Sequence, residues 1–233
     1  MLSVKQFRYN ADNFGYLVYG SRTAIAIDPG APEAMAAFAA AHHLRFSLIT
    51  NTHSHGDHTC GNKRMEQLTG APFRKCTTFT DNESLTVDTD RIRVFRSPGH
   101  SDDSIVFYTG TALISGDTLF NGTVGNCFSG DLDGFYNSLR RLMALPDKTI
   151  VYAGHDYVRE SIAFANAILP GEPAVKQFMD AYTSHHVMST LGDEKKVNPF
   201  LRFDDPAMIG LLEARGCSAS TSRGRFMAIM QAF

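Results

Sequence analysis

No run of the chain is apolar for the roughly 20 residues that a membrane-spanning helix needs. The opening "MLSVKQFRYNADNFGY" has no charged segment followed by an apolar one, so no export signal is expected. Charge of neither sign is in excess: 22 Lys and Arg stand against 24 Asp and Glu, a formal net charge of −2. That balance gives no electrostatic footprint for nucleic acid or an anionic membrane surface, and neither is expected as a partner. The four cysteines (Cys60, Cys76, Cys127, Cys217) are scattered and form no C-x-x-C pair. In a chain this long they read as reduced thiols rather than a disulfide framework, which suits a cytoplasmic protein. Internal repeats and low-complexity tracts are absent too. What remains is a 233-residue chain with 43% hydrophobic and 20% charged residues, the composition of a globular protein with a sizeable core.

The first two-thirds alternate short strands with helices. "LSVKQFRY", "FGYLVYG" and "TAIAIDPG" read as a β-meander broken by Asn, Gly and Pro-Gly. "APEAMAAFAAAHHL" is Ala-rich with a proline near its first turn, and reads as a helix. "RFSLITN" is a buried strand; "IRVFRSPGH", "SIVFYTG" and "TALISGD" are three more, and "KTIVYAGHDY" another. Between them "DLDGFYNSLRRLMAL" places Phe135, Leu139, Leu142 and Met143 at helical spacing. After Tyr157 the texture is helical with no convincing strand. The division is therefore expected near residue 160, with a catalytic part over 1–160 and a helical extension over 161–233.

The densest chemistry lies in "ITNTHSHGDHTCGN", directly after a strand. In an extended chain, residues two apart point the same way, so His53 and His55 aim at a common point. Asp57 and His58 follow a bend at Gly56. Imidazole and carboxylate suit Zn²⁺ and its first-row neighbours, whereas unmetallated they suffer desolvation without full pairing. Three further candidates end strands: His100, Asp117 and His155. Five histidines and two aspartates suffice for two divalent metal ions with one carboxylate bridging. His42, His43, His185 and His186 lie in stretches read as helical and are taken as non-ligands; Cys60 is read as packing.

"THSHGDH" resembles the T-H-x-H-x-D-H signature of the metallo-β-lactamase superfamily, and His100, Asp117 and His155 fall in that superfamily's order. The resemblance covers essentially the whole chain. It implies an α/β fold, a four-layer αβ/βα sandwich of two mixed sheets, with a C-terminal helical appendage. "SGDTLF", "ALPDKTIVYAGHDY", "FANAILP" and "NPFLR" are similar to glyoxalase II, the hydroxyacylglutathione hydrolases. That similarity implies one metal on His53, His55 and His100, the other on Asp57, His58 and His155, and a bridging Asp117. A β-lactamase of the commonest type would carry a cysteine at position 117.

The implied substrate is a small-molecule thioester, S-lactoylglutathione, cleaved by a hydroxide held between two metals, Zn first and Fe or Mn as substitutes. Two M²⁺ ions less two aspartates and one hydroxide leave about one positive charge for the tetrahedral oxyanion. Asp57 is the catalytic candidate, as ligand and orienter of the hydroxide, with Thr52, Ser54 and Thr59 supporting it. Tyr157 matches a glutathione-contacting tyrosine, and Phe128 stands where Tyr or Phe is expected. Asn126 occupies the place of a usual Lys or Arg, and methionines in "FMAIMQAF" replace a usual Arg and Lys, with Arg223 or Arg225 as substitutes. Charge-assisted hydrogen bonds contribute about 1.5–3 kcal/mol each, so two losses weaken glutathione recognition by roughly one to three powers of ten. Two rivals follow: a hydrolase of another acyl-thiol, and a persulfide dioxygenase with one iron on His53, His100 and Asp117.

Overall fold

The computed structural model describes residues 1–217 and 219–233. The opening meander is β1 (Ser3–Tyr9), β2 (Asn13–Tyr19) and β3 (Thr23–Ile27). Helix α1 (Pro32–Ala41) starts with its proline in the first turn, where a missing N–H costs nothing, and β4 (Arg45–Thr50) then runs parallel to β3. These four strands form the first sheet in chain order. The second sheet runs β10-β9-β8-β7-β6-β5, from β5 (Ser84–Val87), β6 (Asp90–Arg96), β7 (Ile105–Tyr108), β8 (Ala112–Gly116), β9 (Ile150–Ala153) and β10 (Ser189–Thr190). Only β8 and β9 pair in parallel there.

Alternation along the strands makes the layers. Phe14, Tyr16 and Val18 of β2 face Ile92, Val94, Phe107 and Ile114 of the other sheet across the central core. The opposite face of the first sheet buries Leu17, Ala26 and Ile49 against Met35 of α1 and Met65 of α3 (Asn62–Thr69). The opposite face of the second buries Phe95, Val106, Leu113 and Val151 under α4 (Leu132–Met143), α8 (Pro206–Ala214) and α9 (Ser222–Ala232). In α4 the Asp131 carboxylate caps the start by accepting from the Gly134 N–H at 2.8 Å, and Phe135, Leu139 and Leu142 form the buried stripe. The result is helix, sheet, sheet, helix: the four-layer α/β architecture expected from the resemblance. Among the described residues no helix is long and apolar enough to cross a membrane.

Several local expectations are corrected. The stretch after Tyr157 contains a strand after all, β10, whose two residues are too few to carry a periodic signal. It is followed by α7 (Leu191–Val197), started by a Thr190–Asp193 capping box. The helix read through His186 ends early, as α6 (Pro173–Ala181), so His185 and His186 are not helical. His42 and His43 lie just past α1: His43 takes φ 54°, which ends the helix, and His42 stacks on Phe38. The bend at Gly56 is a single helical turn, α2 (Gly56–Thr59).

Because β6, β8 and β9 point the same way, their carboxyl ends share one edge, and the first sheet meets them there. The Phe14 N–H donates to the Gly154 carbonyl at 2.8 Å, and the Ile105 N–H to the Thr52 carbonyl at 2.8 Å. Strand ends from both sheets thus converge on one place.

Candidate metal centre

Each side chain of the opening cluster is delivered by a strand end. β4 leads into His53 and His55, and α2 presents Asp57 and His58. His100 follows β6, Asp117 follows β8, and His155 follows β9. Gly116 makes the turn into Asp117 with φ +50°, where an added Cβ would lie 2.5 Å from Thr52 Oγ1. The seven residues form three overlapping groups, His53–His55–His100, His53–His58–Asp117 and Asp57–His58–His155, with donor atoms in each within 4.8 Å of one another. The first and last have the membership that the resemblance implies for the two metal positions.

Hydrogen bonds around the rim decide which ring atoms face inward. A carboxylate or carbonyl oxygen only accepts, so any ring nitrogen bonded to one carries the proton. His58 Nδ1 lies 3.0 Å from Asp28 Oδ2, His155 Nδ1 2.9 Å from Asp12 Oδ1, and His100 Nδ1 3.0 Å from the Asn126 carbonyl. Thr52 Oγ1 donates to Asp28 and so accepts from His53 Nδ1 at 3.1 Å. In all four histidines it is Nε2 that faces the centre, where it can serve as a donor to a cation. His55 instead turns Nδ1 inward, 2.9 Å from His53 Nε2 and 3.1 Å from His100 Nε2. Asp117 Oδ1 is buried among them without a well-directed hydrogen bond.

Five imidazoles and two carboxylates crowded this closely are an unfavourable arrangement that a cation resolves. The charge pattern says the same. Burial opposes the charge on Asp117, yet contacts from His155 and His58 hold its carboxyl well below the usual range. Burial opposes protonation of His58 and His155 as well, but Asp28 and Asp117 push the first well up, and Asp117 and Asp12 push the second up. His53 is driven down to about 4, chiefly by burial and next by the neighbouring His58. The centre demands positive charge, and its donor set suits a divalent metal.

Several contributors were not legible beforehand. Asp28, in "AIDPG", looked like turn chemistry; its φ of 51° turns the carboxylate onto Thr52 and His58. Asn13 donates through Nδ2 to Asp57 Oδ2 at 2.8 Å, and Asp12 holds His155; Asp12 sits in the turn between β1 and β2, and Asn13 opens β2. Of the supporting residues expected, Thr52 bridges Asp28 and His53, and Thr59 donates to the His55 carbonyl.

The expected substrate residues are spread unevenly. The Phe128 ring is 68% exposed and overhangs His100 at 5.2 Å and His55 at 6.0 Å between centroids. Tyr157 stacks on His155 at 5.0 Å, and burial raises its hydroxyl to about 12. Asn126 and Tyr157 line one cavity of about 390 Å³ with Glu160, Phe164, Phe200 and Met230. No Lys or Arg is among its described lining residues. Arg223 lies elsewhere, paired with Asp133, and Arg225 pairs with Asp204.

Fold and centre together define the class. Residues 12–80 and 77–155 match the profile of the metallo-β-lactamase superfamily, and the chain belongs to that superfamily. A crystal structure of ETHE1 from Myxococcus xanthus superposes with a TM-score of 0.71 over 98% of this chain and 90% of the other, at 24% identity. Residues 156–230 match a second profile, the hydroxyacylglutathione hydrolase C-terminus. The hydroxyacylglutathione hydrolase of Pseudoalteromonas translucida is 33% identical, covering 94% of this chain and 93% of its own. That of Chromohalobacter salexigens is also 33% identical, covering 93% and 92%. Within the superfamily, the chain belongs to the hydroxyacylglutathione hydrolase family.

Proposed function

We propose that the protein is a hydroxyacylglutathione hydrolase that cleaves S-lactoylglutathione to lactate and glutathione at a centre of two divalent ions, zinc first. The observation that carries this reading is the convergence of five imidazoles with Asp57 and Asp117, in a chain whose C-terminal third matches the hydroxyacylglutathione hydrolase C-terminus. His53, His55 and His100 would hold one ion, Asp57, His58 and His155 the other, with Asp117 between. Once bound, divalent ions supply a water acidic enough to ionise near neutral pH and positive charge for a developing oxyanion.

The protein's own groups do the rest. Asp57, held by Asn13, orients the attacking water from the exposed side of the cluster. Phe128 covers His55 and His100 and limits access of bulk solvent. Tyr157 keeps its proton and offers a donor to the peptide part of the thiol; Asn126 sits across the same cavity. A thiol of ordinary pKa, about 8.5, leaves as thiolate without a dedicated acid. Arg223 reaches the substrate only by leaving Asp133. In this reading residues 1–160 hold the reacting centre, and 161–233 complete the thiol cavity.

A second reading, hydrolysis of another acyl-thiol, is favoured by one observation: the cavity beside Tyr157 presents Glu160 and apolar side chains to a tail that in glutathione ends in carboxylates. The test is turnover of S-lactoylglutathione, followed by thioester absorbance and thiol release, beside the metal content of the wild type and Asp57→Ala. The wild type should carry close to two ions and turn over; the variant should lose metal and nearly all turnover. Unchanged metal and turnover in Asp57→Ala, or oxygen consumption with glutathione persulfide in place of hydrolysis, would overturn the proposal.

A further inference from the structure

Glu194 is completely buried, has no salt-bridge partner among the described residues, and has no part in the chemistry above. A carboxyl group in such a place is costly unless its acceptors are filled. Its oxygens receive the Gly122 N–H at 2.8 Å, the Ser189 hydroxyl at 2.6 Å and the Asn198 side-chain amide at 3.2 Å. Asn198 also donates to the Thr123 carbonyl at 2.9 Å, and Asn121 donates to Ser189 Oγ at 2.7 Å. All these bonds grip the tip of one hairpin, closed by the Phe120 N–H donating to the Thr123 carbonyl at 3.0 Å.

That hairpin joins the two halves of the centre. It leaves Asp117 and returns through Gly125, where an added Cβ would lie 2.0 Å from the Asp117 carbonyl oxygen and 2.9 Å from His100 Nδ1. It ends at Asn126, whose carbonyl accepts the His100 Nδ1 proton. Displacing the tip therefore frees His100 to change tautomer and turn its protonated nitrogen inward.

We infer that Glu194, with Asn198, is a positioning residue that clamps the 120–126 hairpin and through it holds His100 with Nε2 presented to the metal. This rests on the metal-centre reading above, but its first readout needs neither metal nor substrate. Glu194→Leu keeps roughly the volume and accepts no hydrogen bond, so the Gly122, Ser189 and Asn198 donors lose their common acceptor. In the metal-free chain, the His100 Nδ1–H resonance should be lost or shifted, while those of His58 and His155 persist. In the refilled enzyme, kcat should fall about 10- to 100-fold with a much smaller change in KM, the usual scale for a partner of a ligand. Asn198→Ser cuts the clamp from its other end and should give the same signature, so the inference stays testable where Glu194→Leu folds poorly. A folded variant with a native His100 resonance overturns the inference and leaves the hydrolase reading intact. So does one with unchanged kcat and only a lowered melting temperature. Absence of thioester turnover in the wild type, with the His100 signature present, overturns the hydrolase reading alone.

Discussion

His58 Nδ1 lies 3.0 Å from Asp28 Oδ2, and that contact aims Nε2 at Asp57 and Asp117. Asp28 also accepts from the Thr52 N–H and hydroxyl, so both its oxygens are committed as acceptors. Asp28→Asn must place an amide N–H₂ against either Thr52 or His58. Against His58 it imposes the tautomer with a protonated Nε2. Metal affinity or turnover should drop about 10- to 100-fold with the fold retained, read by metal titration and thioester hydrolysis. Full metal affinity in the variant would count against Asp28 as the orienting group.

Removing metal should weaken the fold as well as stop catalysis. A ligand that binds only the folded state stabilises it by RT ln(1 + [L]/Kd), about 4 kcal/mol at a thousandfold excess over Kd. A chelator-stripped sample should melt several degrees lower, lose turnover, and recover both with zinc, iron or manganese. Turnover that survives exhaustive stripping argues against the two-ion centre.

The cavity beside Tyr157 makes a prediction that runs in the direction of gain. Met230 lines it with no cation nearby in the lining. Met230→Lys should raise kcat/KM for S-lactoylglutathione about tenfold, mostly through KM, by supplying a charge-assisted bond of about 1.5–3 kcal/mol to a carboxylate. An unchanged KM means that the tail of the thiol does not enter this cavity.

Glu194 sets a pH dependence of stability. Burial, with a smaller contribution from Asp193, lifts its carboxyl from 4.5 to about 7 against the hydrogen bonds it accepts. Between those values the folded chain retains a proton that the unfolded chain has released. Stability from this group is therefore complete below 4.5 and is lost as pH rises through about 7, with a slope of at most about 1.4 kcal/mol per pH unit. Urea unfolding of the metal-free wild type and Glu194→Gln across that range should show the slope in the wild type only. Parallel profiles would refute the shift.

The centre was largely visible before the fold because His53, His55, Asp57 and His58 are neighbours in the chain. Two residues apart in an extended segment is a local geometric relation, and it needs no tertiary information. His100, Asp117 and His155 were visible only as strand ends beside glycine and through the family resemblance. Asp12, Asn13 and Asp28 were not visible, since a lone Asp or Asn in a turn has the same local signal whether or not a histidine lies across from it. The two-residue β10 and the helix after it escaped for a related reason: their pairing with β9 and with the 120–126 hairpin is made at long range.

Pattern alone decided every strand but β5 and β10, the amphipathic stripe of α4 and the chemical class of the centre, because each depends on period or spacing within a few residues. Which nitrogen of each imidazole faces inward was decided only in three dimensions. That choice belongs to an oxygen brought from another strand end, in His58 by Asp28, in His155 by Asp12 and in His100 by Asn126. The same holds for the cation-free cavity and for the burial of Glu194, because both are made where the C-terminal helices close over the second sheet.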